Sequence, residues 1–263
     1  MNWGAFGANL AVAAGVALAV MLVTFAVARA KGVHRVVDTA WGLAFAAVAL
    51  ASYGMSAGEG DGTRRLLVTV LTAVWGLRLA AHIARRGRGH GEDPRYARML
   101  SKAPGNRDLY ALRMVYLLQG ALVWLVSLPV QAAQYIPGPP GWEAAAGTAL
   151  WVVGMFFEGV GDWQLTRFKE DPANRGRIMD RGLWRLTRHP NYFGDFLVWW
   201  GLYALSCGHW SSAVAVVSPL VMSFLLVRGS GKPMLERHMA DRPGYAEYMA
   251  RTSGFLPLPP RAH

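Results

Sequence analysis

Arg181–Gly201 reads RGLWRLTRHPNYFGDFLVWWG, a cationic turn that runs straight into an apolar stretch. Pro190 suits the first turn of a helix, because its missing N–H would have no intrahelical partner there. Residues 191–207 are largely apolar, so the helix is expected to enter a membrane with Arg181, Arg185, Arg188 and His189 at its mouth. Asn191, Asp195 and Trp199 follow at i, i+4 and i+8 and share one helical face. An amide and a carboxylate at a membrane boundary are costly unless they meet something polar. A phosphorylated or zwitterionic cofactor meets that need: arginines, histidine and the helix N-terminus attract its anion, and Asn191 and Asp195 fix its polar groups.

The remaining composition fits a membrane enzyme. The 263 residues are 53% hydrophobic, yet carry 27 Lys+Arg against 16 Asp+Glu. Nucleic acid is the usual partner of so basic a chain, but here the charge lies between apolar runs, as in cytoplasmic loops, and no nucleic-acid partner is expected. The single Cys207 excludes an internal disulfide framework and a cysteine metal cage, and no metal site is expected.

The apolar runs predict an all-α polytopic membrane protein with about seven transmembrane helices: Trp3–Ala28, Val36–Met55, Leu66–Ala84, Leu112–Ala133, Ala144–Leu165, Asn191–Cys207 and Ser211–Val227. Basic residues cluster after the first, third, fifth and seventh spans, whereas Gln134–Glu143 has none, which predicts an outside N-terminus and a cytoplasmic C-terminus. Arg64 and Arg65 dissent, lying on the expected outer side. The loops 85–111 and 166–189 and the tail from Gly229 are expected to form a cytoplasmic cap with a short helix over Met234–Met249. The chain reads as one integral-membrane domain, with spans in 1–136 on the substrate side and 144–250 on the cofactor side.

From Asp162 to Tyr248 the sequence resembles the C-terminal domain of the steroid 5α-reductase family, in a bacterial branch without an assigned substrate. The resemblance rests on Gly161–Asp162–Trp163–Gln164, Asn174–Arg175–Gly176, Gly182–Leu183–Trp184, Arg188–His189–Pro190–Asn191–Tyr192–Phe193–Gly194–Asp195, Ser230–Gly231–Lys232–Pro233, Glu236 and Tyr245–Tyr248. Asp38–Thr39–Ala40–Trp41–Gly42 and Trp75–Gly76–Leu77–Arg78 match more weakly. It implies a membrane reductase, in the bacterial plasma membrane, that uses NADPH to saturate an activated carbon–carbon double bond of a steroid-like or other lipid. The implied cofactor residues are Asp162, Asn191 and Asp195, joined by Arg185, Arg188, His189, Tyr192 and Arg228. No GxGxxG or Walker A pattern is present, so a soluble Rossmann domain is not the cofactor holder.

In the steroid enzymes a glutamate and a tyrosine from the N-terminal half polarise the substrate carbonyl. Asp38 is the nearest equivalent here, an aspartate in place of the glutamate. Its tyrosine is Tyr53, Tyr96 or Tyr116, of which Tyr116 lies well inside an expected span and is the candidate. Plainer readings stand beside these: the arginines as topology determinants, Asp38 paired with Arg35 or Arg78, Glu158 or Asp162 paired with Arg167 or Lys169, and the tryptophans as interfacial anchors. The rival chemistry is a membrane methyltransferase of the isoprenylcysteine or phospholipid type, in which an Arg-His-Pro-x-Tyr-x-Gly turn and a later glutamate, here Glu236, bind S-adenosylmethionine. A non-catalytic scaffold or transporter is a third class.

Overall fold

The structure is a computed structural model and describes residues 1–261. The final two positions of the tail lie outside the described residues. Among the described residues there are helices and turns and no strand, only one isolated bridge between Thr187 and Ser253. The long helices are α1 (Trp3–Lys31), α2 (Val36–Met55), α3 (Gly62–Gly87), α5 (Arg107–Ala133) and α6 (Trp142–Glu170). Between them, α4 (Pro94–Leu100) is a short loop helix. After α6 come the single turn α7 (Leu183–Leu186), α8 (Pro190–Ser206), α9 (Val217–Val227), α10 (Lys232–Met239) and α11 (Tyr245–Arg251).

Among the described residues, six helical stretches are long and apolar enough to cross a membrane: α1, α2, α3, α5, α6 and the run Trp210–Met239. The chain is therefore a polytopic membrane protein. The expected span from Asn191 is α8, whose 17 residues reach about 25 Å at 1.5 Å per residue, short of a hydrocarbon core of about 30 Å. The expected tail helix over Met234–Met249 is instead two helices, α10 and α11. Pro243 and Gly244, the latter at φ +79°, turn the chain between them.

Two compact units divide the chain. The first comprises residues 1–144 and 205–218, the second 145–204 and 219–263. In the first, Asn2 caps α1 by accepting from the Ala5 amide, and buried Asn9 donates to Gln131 at 3.3 Å. Arg64, which dissented from the charge pattern, is not a surface topology signal. Its guanidinium is 1% exposed and donates to the Leu205 carbonyl at 2.6 Å and to Glu143 at 3.0 Å. Arg65 donates to Ser56 and to the Tyr53 carbonyl and lies over the Tyr53 ring.

In the second unit α6 and α8 are held by glycines. Gly147, Gly154 and Gly161 recur every seven residues on α6 and meet Gly201, Gly194 and Pro190 on α8. A Cβ on Gly154 would lie 2.6 Å from the Gly194 carbonyl oxygen, and one on Gly201 2.6 Å from that of Gly147. A seven-residue repeat keeps one seam facing the partner, and small residues let two backbones approach where hydrophobicity gives no drive. Gly154→Leu is expected to cost about 1–3 kcal/mol of stability through overpacking, seen as a lower melting temperature in detergent. An unchanged melting temperature would mean that the two backbones are not in contact.

Candidate functional site

The glycine seam sets the polar residues of the second unit. Gly161 packs on Pro190, so their neighbours Asp162 and Asn191 meet, and the Asn191 amide donates to Asp162 Oδ1 at 3.2 Å. Asp162 is buried, as is Glu158 one turn earlier. Asp195 lies one turn beyond Asn191 on the same face, and Trp199 beyond it is fully buried. The turn before α8 is pinned as well. Gly182, at φ +58°, lies against the Gln164 amide where any Cβ would clash. Gln164 accepts from the Leu183 amide at 3.0 Å, and the Trp184 indole donates to the Gly161 carbonyl at 2.9 Å.

Arg188 ties this turn to the tail. Its guanidinium donates to Glu236 at 2.7 and 2.9 Å and to the Thr252 carbonyl at 2.6 Å, while its backbone amide donates to Ser253. His189 stacks on Tyr192 with ring centroids 5.3 Å apart, and its Nε2 lies 3.2 Å from Glu236. Burial holds the His189 pKa below its ordinary value despite Glu236, which favours the neutral ring. Its Nδ1 is buried and meets no hydrogen-bond partner among the described residues.

Arg188 and His189 line a cavity of about 380 Å³ closed by the 166–189 loop and the tail helices. Leu235, His238, Met239, Tyr245 and Tyr248, from the two tail helices, form its other wall. The Tyr248 hydroxyl donates to the Trp184 carbonyl at 2.6 Å. The lining is strongly basic: Lys169, Arg175, Arg177, Arg188 and Arg242 stand against Glu170 and Asp171. Of the eight expected cofactor residues only Arg188 and His189 line this cavity, and Tyr192 and Asp195 are among the six that do not. Arg185 and Arg228 are exposed and do not line the cavity. Asp162 and Asn191 are not in its lining either, but bond to each other.

In the first unit a second polar cluster forms at the start of α2. Glu92 caps that helix by accepting from the His34 and Arg35 amides at 2.6 and 3.0 Å. This docks the 85–111 loop on α2. Asp93 then caps α4, with Pro94 in its first turn, and α4 delivers Arg95 and Tyr96 to Asp38. The Tyr96 hydroxyl donates to Asp38 Oδ1 at 2.5 Å and Arg95 donates to Oδ2 at 2.6 Å. Burial first, and then the Asp38 charge, push the Tyr96 pKa up, so the phenol keeps its proton. Burial opposes the charge of Asp93, but Arg95 holds its pKa below the ordinary carboxylate value.

Tyr116 is not the partner of Asp38. It lies in a π-helical turn of α5, Leu112–Leu117, fully buried, and shares a 3.0 Å hydrogen bond with His34 Nδ1. The span criterion favoured Tyr116 over Tyr96, but the carboxylate is met from the loop. The Asp93–Pro94 helix start was the local signal for α4, although nothing in it named Asp38 as the target.

The chain belongs to the family described as protein of unknown function DUF1295, which matches residues 24–252. No curated protein and no solved structure matches the chain.

Proposed function

We propose that this chain is a membrane-embedded, NADPH-dependent reductase that saturates an activated carbon–carbon double bond of a lipid. The observation that carries this reading is the basic cavity of the second unit. Besides Arg188, which Glu236 already pairs, four Lys and Arg side chains line it against two carboxylates, an excess of positive charge that suits a pyrophosphate and a 2′-phosphate. The buried, unsatisfied Nδ1 of His189 at that wall supports a polar ligand there. Membership of a family associated with steroid 5α-reductase-like membrane proteins agrees with the resemblance in the motifs.

NADPH, when bound, supplies the hydride. The chain's own residues supply charge and proton. Arg175, Arg177 and Arg242 neutralise phosphate, and His189 presents a neutral ring. Asp162, Asn191 and Asp195 offer the polar face on which the motif resemblance rests. In the first unit Tyr96 holds a proton on Asp38, and a substrate carbonyl oxygen that reaches this pair competes for it. The methyltransferase reading assigns Glu236 to S-adenosylmethionine, but Oε1 of that carboxylate is taken up by Arg188 and His189. The lining is also more basic than a sulfonium cofactor requires.

Purified protein is expected to be stabilised thermally by NADPH and not by S-adenosylmethionine. The reverse pattern would end the reductase reading, and no shift with either would favour a scaffold. Arg175→Gln and Arg242→Gln, at two residues that line the basic cavity, are expected to remove the NADPH stabilisation while the helices stay folded. Unchanged NADPH affinity in both would put the cofactor elsewhere.

A further inference from the structure

A separate cavity of about 470 Å³ in the first unit is bounded by the end of α1, the start of α2 and the end of α3. One wall is apolar: Val23, Val27, Leu43 and Ile83 belong to spanning helices, and Val23 is 64% exposed. The rim is charged, with Lys31, Arg86 and Arg88 beside Asp38 and Asp93. Arg95, from outside the lining, donates to both carboxylates, at 2.6 Å to Asp38 and at 3.0 Å to Asp93, and its single charge offsets one of the two. Lys31, Arg86 and Arg88 make no ion pair among the described residues. Arg35 also stands in the lining, and these four cations with Arg95 outnumber Asp38 and Asp93, so the net field at the rim is positive. Completing the C-termini of α1 and α3 explains why such residues stand in the last turns. It does not explain why they converge on one cavity that also opens along apolar helix surface.

We infer that this cavity seats a membrane amphiphile whose anionic head is held by Lys31, Arg86 and Arg88 and whose chain lies along Val23, Val27, Leu43 and Ile83. Basic pockets between membrane helices take anionic lipid heads in this way, and two arginines add planar, bidentate donors. Resting on the reductase reading, the lipid reduced beside Asp38 belongs to this class. Asp38 shares the cavity with the cations, so the double bond it serves lies near the charged head rather than far down the chain. A neutral sterol nucleus would leave the three cations without a counter-charge.

Binding is read without cofactor, as thermal stabilisation of the full chain in a neutral maltoside detergent. The probes are dioleoyl phosphatidic acid, dioleoyl phosphatidylcholine and inorganic phosphate. Phosphatidic acid is expected to stabilise saturably, with an affinity at least about tenfold above that of phosphatidylcholine, and phosphate alone is expected to do little. The double variant Arg86→Gln/Arg88→Gln is expected to lose at least about tenfold in phosphatidic acid affinity, and Arg86→Lys/Arg88→Lys to retain most of it. Equal binding of the two lipids overturns the proposal, as does an unaffected glutamine variant. Stabilisation by phosphate equal to that by phosphatidic acid reduces the site to an anion site without a lipid and also overturns it. If the glutamine variant fails to fold, the comparison of the two lipids on the wild type decides. NADPH is tested on the same wild-type samples: loss of its effect alone sinks the reductase reading, and loss of the lipid effect alone sinks this one.

Discussion

Asp38→Asn is expected to lower turnover about 10²–10⁴-fold, the span typical of a lost acid–base group, while stabilisation by NADPH persists. Asp38 accepts two charge-assisted or short hydrogen bonds, from Arg95 and from Tyr96. Asparagine keeps the volume but loses the charge that Arg95 compensates and one oxygen that accepts. The Tyr96 proton is then no longer held at the cavity wall. Tyr96→Phe removes the proton itself and is expected to fall in the same range, whereas Tyr116→Phe, which breaks only the bond to His34, is expected to keep activity within about tenfold. The readout is NADPH oxidation by purified protein supplied with its own membrane lipids. A fully active Asp38→Asn protein would return Asp38 to a structural role with Arg95. An inactive Tyr116→Phe beside an active Tyr96→Phe would move the acid to Tyr116.

Arg64→Met is expected to destabilise the first unit by about 3–5 kcal/mol, the range for breaking a buried ion pair from one side. The guanidinium is 1% exposed and joins three separate segments through Leu205, Pro139 and Glu143. Without it, Glu143 keeps a largely enclosed charge and two carbonyl oxygens lose a donor. Thermal or denaturant unfolding in detergent measures the loss. Adding Glu143→Gln to Arg64→Met is expected to recover part of it, since the orphaned charge is then gone. A single variant as stable as the wild type would show that Arg64 is solvated and would restore it as a topology signal.

Several features were legible because they are local. Apolar runs of helical length marked the spans, and the predicted bounds of α2 coincide with the helix, Val36–Met55. The start of α8 at Pro190 followed from one residue type at one position. The motif resemblance singles out both Asp162 and Asn191, and the two hydrogen-bond to each other outside the cavity lining. What hid in plain sight was the reason for that pairing. The glycines at 147, 154 and 161 stand at a heptad spacing, but small residues carry no polarity signal and their meaning appears only when a second helix lies on them.

The sequence alone determined that this chain spans a membrane many times on helices, and which polar residues stand out against the apolar runs. Both follow from composition along the chain and from the helical period, which need no knowledge of partners. Only the tertiary structure decided which candidates meet. It gave Tyr96 rather than Tyr116 to Asp38 across 58 positions, buried Arg64 against Glu143, and turned one face of the tail helices toward the basic cavity while leaving Arg185 and Arg228 outside it. These pairings depend on how caps and glycine seams dock distant segments, and a side chain does not record locally what will be folded against it.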